Sequence, residues 1–260
     1  CSSDLVKTLM LWFKDNKGLA TGISVCAFGF ASSIASPIIT FLTNRYSLTI
    51  TFIILSCIYF VPMMIAHFIL YKPEGWVEEQ NKTDFNVKGL LKDYRFISIW
   101  LIIFINITCG LAVISIASPM FIEQGFNAKT IALIVSVMGI FNGAGRLVFS
   151  AFSDRLDNRA YIYNVILGLS IIVSIAAIII SKLSFIALII ISACYGAGFS
   201  CLPTLLSDIY GMKNISKIHG ISLTAWAMAG LVGNQMSGLI QRITGSYLNV
   251  FKIIFSFYIF

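Results

Sequence analysis

Ile166-Leu-Gly-Leu-Ser-Ile-Ile-Val-Ser-Ile-Ala-Ala-Ile-Ile-Ile180 is apolar or small at every position, with no charge. A β-barrel strand alternates apolar and polar residues over about ten positions. A helix in a soluble domain shows a polar stripe to water. This stretch does neither, so it reads as a helix surrounded by lipid or protein. Its neighbourhood repeats the pattern. A span needs about 20 mostly apolar residues, because the hydrocarbon core is about 30 Å thick and a helix rises about 1.5 Å per residue. Eight candidate runs lie between charged punctuation, over 18–42, 48–71, 97–122, 128–153, 160–181, 183–207, 217–241 and 247–260. The last is too short to cross. The chain therefore reads as an all-α integral membrane bundle of about eight transmembrane helices, incomplete at both ends. Cys1 stands where a Met would, and the last run stops at Phe260.

Composition agrees. Of 260 residues 58% are hydrophobic and 11% charged, with a mean hydropathy of +0.91, whereas soluble domains carry about 25% charge. The net charge of +7 would suggest nucleic acid in a soluble protein. Here the loops explain it. Taken alternately along the chain, loops on one side hold twelve basic residues and those on the other hold four. The positive-inside rule then places residues 1–17 and 72–96 in the cytoplasm, with no nucleic-acid partner required. On that topology the sequons at Asn81 and Asn214 are expected to stay unmodified. The 72–96 segment balances five basic against five acidic residues. It reads as a cytoplasmic linker between two hydrophobic blocks.

Arg146 is the exception to this punctuation, lying inside the run 128–153 about five residues past its midpoint. An intramembrane Arg costs on the order of 2.5–3.5 kcal/mol on insertion scales and usually faces a wet cavity. Its helical face carries Ser136, Gly139, Asn142, Gly143 and Ser150, while Ile134, Val137, Phe141 and Val148 lie opposite. A fixed, planar cation in a low-dielectric cavity suits a carboxylate, which it can hold through two bonds. The rest of the chain shows no nucleophile–base pair, metal cluster or cofactor loop. The two histidines sit on different runs, and the Gly-Ala-Gly triplets at 143–145 and 196–198 lie in apolar helices with no strand before them. Such small residues suit close helix packing. An enzyme, a cofactor and a bound metal are not expected.

Asn142-Gly-Ala-Gly-Arg146, followed by Ser153-Asp154-Arg155 and Arg159, resembles the segment joining helices 8 and 9 of major facilitator transporters of the oxalate/formate antiporter family, relatives of the monocarboxylate transporters. Trp12 through Gly22 is similar to that family's entry to helix 5. Phe104 through Met120 is similar to helix 7, Tyr195 through Gly211 to helix 10, and Leu223 through Gly230 to helix 11. The resemblance implies that 1–71 closes the N-terminal six-helix bundle with helices 5 and 6. It makes 72–96 the central linker and 97–260 the C-terminal bundle, helices 7–12. It implies a secondary active transporter that moves a small organic anion (monocarboxylate, formate or oxalate-like) by alternating access in a multi-pass membrane setting, expected to be the cell membrane. The coupling partner, a co-transported proton or an exchanged anion, stays open, as does the oligomeric state. Arg146 would hold the carboxylate, Asn142 would assist, and Trp226 and Asn106 would shape the pocket. Asp154, Arg155 and Arg159 would form a conformational latch, although Ser150 and Asp157 replace that motif's two glycines. Oxalate carriers of the family hold a lysine on helix 11 after a Thr-Ala pair. Here Thr224-Ala225 is followed by Trp226, which favours a monocarboxylate or a counter-charge from other helices. The rival readings are a carrier for another solute, such as a sugar, nucleoside or drug, and a non-transporting receptor or scaffold of the same fold.

Overall fold

The computed structural model describes residues 2–71, 73 and 86–259, and among them every regular element is helical. In chain order these are α1 (Ser2–Trp12), α2 (Lys17–Arg45), α3 (Leu48–Ile69), α4 (Val87–Leu90), α5 (Tyr94–Glu123), α6 (Ala128–Ser153), α7 (Tyr161–Ile179), α8 (Ser184–Tyr210), α9 (Ile215–Ser222), α10 (Thr224–Thr244) and α11 (Val250–Ile259). Short 3₁₀ turns precede α8 and α11. Five elements, α3, α5, α6, α7 and α8 with its preceding turn, are long and apolar enough to cross a membrane among the described residues. At 29 and 21 residues, α2 and α10 also have the necessary length.

The boundaries follow local chemistry. At the start of α6 the Asn127 side chain accepts from the Thr130 amide at 2.8 Å, an N-cap that satisfies an otherwise orphaned donor. Asp93 does the same for α5, accepting from the Arg95 amide at 2.9 Å. The Arg95 guanidinium, bound to both Asp93 oxygens, holds that carboxyl below its usual range. Gly211 and Gly245, both at φ +71°, end α8 and α10, where an L side chain would be strained.

Two expectations are corrected. The run 217–241 is not one helix but two, α9 and α10, meeting in a turn at Leu223. There the Ser222 hydroxyl donates to the Ile218 carbonyl and the Thr224 hydroxyl to the Ile221 carbonyl. Such local side-chain bonds compete with the helical ladder. The segment before the first run is also not a loop. Residues 2–12 form α1, which buries Val6, Met10 and Leu11 and packs on α2 and α9. Most of the linker expected over 72–96, including Asn81, lies outside the described residues. Its far end turns through α4 into α5.

α8 is the axle. It packs against α2, α5, α6, α7 and α9, and its buried residues run from Ser184 to Ser207. α10 lies along α5, and α11 lies against α7 and α5. Two apolar clusters stack along this axis. One gathers Met10, Phe96, Ile103, Ile166, Leu206 and Ile218; the other gathers Val113, Met120, Ile131, Leu188, Phe251 and Ile254. Outward faces stay apolar: Phe60, Phe68, Ile172, Ile179, Leu231 and Ile243 are all exposed. Lipid is the solvent that tolerates such a surface.

Candidate functional site

Arg146 sits where α2, α6 and α8 meet, and it is 8% exposed. The site is built by close approach of α6 and α8. Gly145 lies directly on the Ala193 carbonyl, and Gly196 lies against the Asn142 carbonyl and the Arg146 Cγ. A Cβ at either glycine would force the helices apart. Three hydroxyl and amide bonds stitch the seam. Ser192 Oγ donates to the Met138 carbonyl at 3.1 Å, Asn142 Nδ2 to the Ser192 carbonyl at 2.9 Å, and Ser200 Oγ to the Arg146 carbonyl at 2.9 Å. The seam uses a face rotated from the one expected. Ile134 and Met138 are buried with Asn142, whereas Ser136 is exposed and bonds the Ala132 carbonyl of its own helix.

Within this frame the guanidinium is oriented on three sides. Its Nε donates to Asn142 Oδ1 at 3.2 Å and Nη1 to the Val25 carbonyl of α2 at 3.1 Å. Below the plane lies the Phe199 ring, 5.5 Å from Cζ. The negative face of an aromatic ring attracts a cation in this position. No carboxylate pairs with Arg146 among the described residues, and Nη2 carries no bond among them. The helices around it bury no second basic side chain: among the described residues of α2, α5, α6, α8 and α10, Arg146 is the buried cation. The arrangement presents one fixed positive charge with no carboxylate partner among the described residues, its Nε and Nη1 held by neutral acceptors. A planar cation of this kind can hold a carboxylate through two bonds.

Trp226 joins the same wall. Its ring meets Phe199 edge-on at 6.0 Å and is 45% exposed. Asn106 lies elsewhere, fully buried on α5. It donates from Nδ2 to the Cys194 carbonyl at 3.4 Å and lies against Gly198; it does not touch Arg146. Phe199 and the Val25 carbonyl complete the site without having been anticipated. The sequence carries no mark for either.

One helical end carries the charged network, at the start of α2 and the finish of α6 and α8. Asp154 accepts from the Gly18 and Leu19 amides, both at 2.8 Å, and so caps α2 from another helix. Asn16, the residue preceding α2, makes no side-chain cap of its own. Arg159 binds Asp154 at 2.5 Å and Asp208 at 2.6 Å, and Lys17 reaches Asp208 at 3.6 Å. Of the three residues expected here, Asp154 and Arg159 are brought together. Arg155 is exposed and outside the network among the described residues, while Lys17 and Asp208 belong to it. Gly18 and Gly22 make this possible by letting α2 lie against Ser150 of α6.

A model of the Major Facilitator Superfamily matches residues 5–234. The chain is similar to an oxalate:formate antiporter of Oxalobacter formigenes, at 24% identity over 90% of the chain and 58% of the relative. It is similar to the uncharacterized MFS-type transporter YhjX of Escherichia coli, at 26% identity over 81% of the chain and 54% of the relative. It is also similar to monocarboxylate transporter 12-B of Danio rerio, at 21% identity over 96% of the chain and 60% of the relative. The chain thus spans less than two thirds of each relative's length.

Proposed function

This chain belongs to the Major Facilitator Superfamily, whose members are transporters rather than enzymes, and from that premise we propose that the protein carries a small organic anion across a membrane by alternating access. The observation that carries this reading is the buried guanidinium of Arg146, which no carboxylate neutralises among the described residues. An uncompensated charge in a low-dielectric site is costly, and a monocarboxylate ligand supplies the missing partner. Two of the similar proteins are named for carboxylate transport, which supports the same substrate class. Arg146 binds the carboxylate and Asn142 fixes the angle of its fork. Phe199 and Trp226 line the approach. A single fixed charge favours a monoanion over a dianion. Exchange for a second anion, or entry with a proton, returns the carrier to its starting state.

In this reading α1–α3, within 1–71, belong to one six-helix half and α5–α11 to the other, joined through 72–96 on the cytoplasmic side of the cell membrane. The halves rock about a site near the bilayer midplane. The network of Asp154, Arg159, Asp208 and Lys17 latches their cytoplasmic ends. The test is uptake of radiolabelled formate, lactate and oxalate by the intact protein and by Arg146→Gln. Truncating one partner of a buried charge pair costs about 2–5 kcal/mol, so the variant is expected to lose apparent affinity by about thirtyfold or more. Uptake that survives the substitution removes Arg146 from the site.

A further inference from the structure

The bond that closes the Arg146 site is made by a backbone oxygen of another helix. Nε is committed to Asn142, which is itself anchored to the Ser192 carbonyl. That leaves the far edge of the fork, formed by Nη1 and Nη2, for a ligand that takes two bonds. One of those two places is occupied, because the Val25 carbonyl of α2 accepts from Nη1 at 3.1 Å. A carbonyl is a neutral acceptor. A carboxylate oxygen is a charged one, and its bonds to guanidinium are shorter and roughly twice as strong.

Resting on the reading of Arg146 as the carboxylate site, we propose that the substrate displaces the Val25 carbonyl and so releases α2 from α6. The contact holding the empty site shut is the one that binding breaks. Arg146 is then both the ligand for the anion and the tie between two helices. A ligand shifts a conformational equilibrium only by its differential affinity for the two states. Exchange of a neutral acceptor for a charged one supplies that difference.

The neighbouring contacts say what is released. One residue along α2, the Cys26 thiol donates to the Gly143 carbonyl of α6 at 3.1 Å and is buried. One turn earlier, Gly22 lies on the Arg146 carbonyl and the Ser150 side chain. Loss of the Val25 bond loosens this stretch as a unit and bares Cys26. Cys57 lies mid-span in α3, where an exposed thiol meets lipid rather than water, so Cys26 labelling is scaled to its own extent in denatured protein.

The experiment is site-resolved labelling of Cys26 with N-ethylmaleimide on the intact protein in membranes, read by mass spectrometry against the same protein labelled to completion in SDS. Formate, lactate and oxalate are titrated in turn, and their binding is measured on the same sample by thermal shift. An anion that binds is expected to raise Cys26 labelling, as a fraction of that total, by about fivefold or more, the lower end of ordinary coupling between sites. In Arg146→Gln labelling should be high from the start and indifferent to anion. Binding in the parent protein that leaves Cys26 unchanged, or protects it, overturns the displacement while leaving the carboxylate site standing. Absence of binding by all three anions, or binding that persists in Arg146→Gln, overturns the carboxylate reading and the displacement together. The titration of the parent protein decides between these outcomes even if the variant folds poorly.

Discussion

At the scale of the residue, Asn142 sets how much of the Arg146 charge is left for a ligand. Its amide is neutral, so it orients Nε and leaves the charge uncompensated. Asn142→Asp has nearly the same shape and would supply the missing counter-charge from within. Hydrogen bonds to charged groups are worth about 1.5–3 kcal/mol. The variant also removes the donor that Asn142 gives the Ser192 carbonyl, so it is expected to lose carboxylate binding by about tenfold or more with a lowered melting temperature, measured by anion titration and thermal unfolding on one preparation. Retained affinity would place the anion somewhere other than the Arg146 fork. Arg146 and Asn142 are legible in the sequence because polar groups stand out in an apolar run. Val25 is illegible there, since its contribution is a carbonyl that every residue possesses. Phe199 is one of 21 phenylalanines and acquires meaning only when the fold lays it beneath a cation.

At the scale of the element, the α6–α8 seam decides the geometry. Gly145 has its backbone against the Ala193 carbonyl, so Gly145→Val forces side chain onto backbone. Overpacking of this kind costs about 1–3 kcal/mol. A lower melting temperature and weaker Arg146-dependent binding are expected together, because the seam that stabilises the pair also places the guanidinium. A melting temperature equal to the parent's would mean the seam has slack. The extent of α6 is the expectation best matched, 128–153 against Ala128–Ser153, since Asn127 and Asp154 mark both ends chemically. The break at Leu223 carries no such mark: hydropathy continues through it, and the turn depends on the hydroxyls of Ser222 and Thr224 both choosing carbonyls of α9. The facing of α6 was only partly legible as well. Small residues fit both a wet face and a packed one, and the structure uses Gly145 for packing.

At the scale of the whole molecule, the charged network joins elements distant in sequence, with α2 capped by an acid 136 residues further along. Carboxylate at a helix N-terminus is favoured by the macrodipole and by the unsatisfied amides there. Asp154→Asn removes the charge and keeps the size. Amide hydrogen exchange at Gly18 and Leu19 is expected to speed up by about tenfold or more, with the core of α8 unchanged. Equal protection in the two proteins would mean that the cap, and the latch built on it, is held by something else. Long helices and their order were legible from hydropathy; this network was half legible, because Asp154 and Arg159 sit in one connection whereas Lys17 and Asp208 arrive only through folding. The Val25–Arg146 bond also bears on how the protein is made. α2 leaves the ribosome 121 residues before Arg146, whereas Phe199 follows about 50 residues after it, roughly 3–10 s later at ordinary synthesis rates. When α6 enters the bilayer with its cation, the Val25 carbonyl and Asn142 of α6 itself are the acceptors already synthesised, so the arginine's hydrogen-bond partners precede it in the chain while the ring beneath it does not.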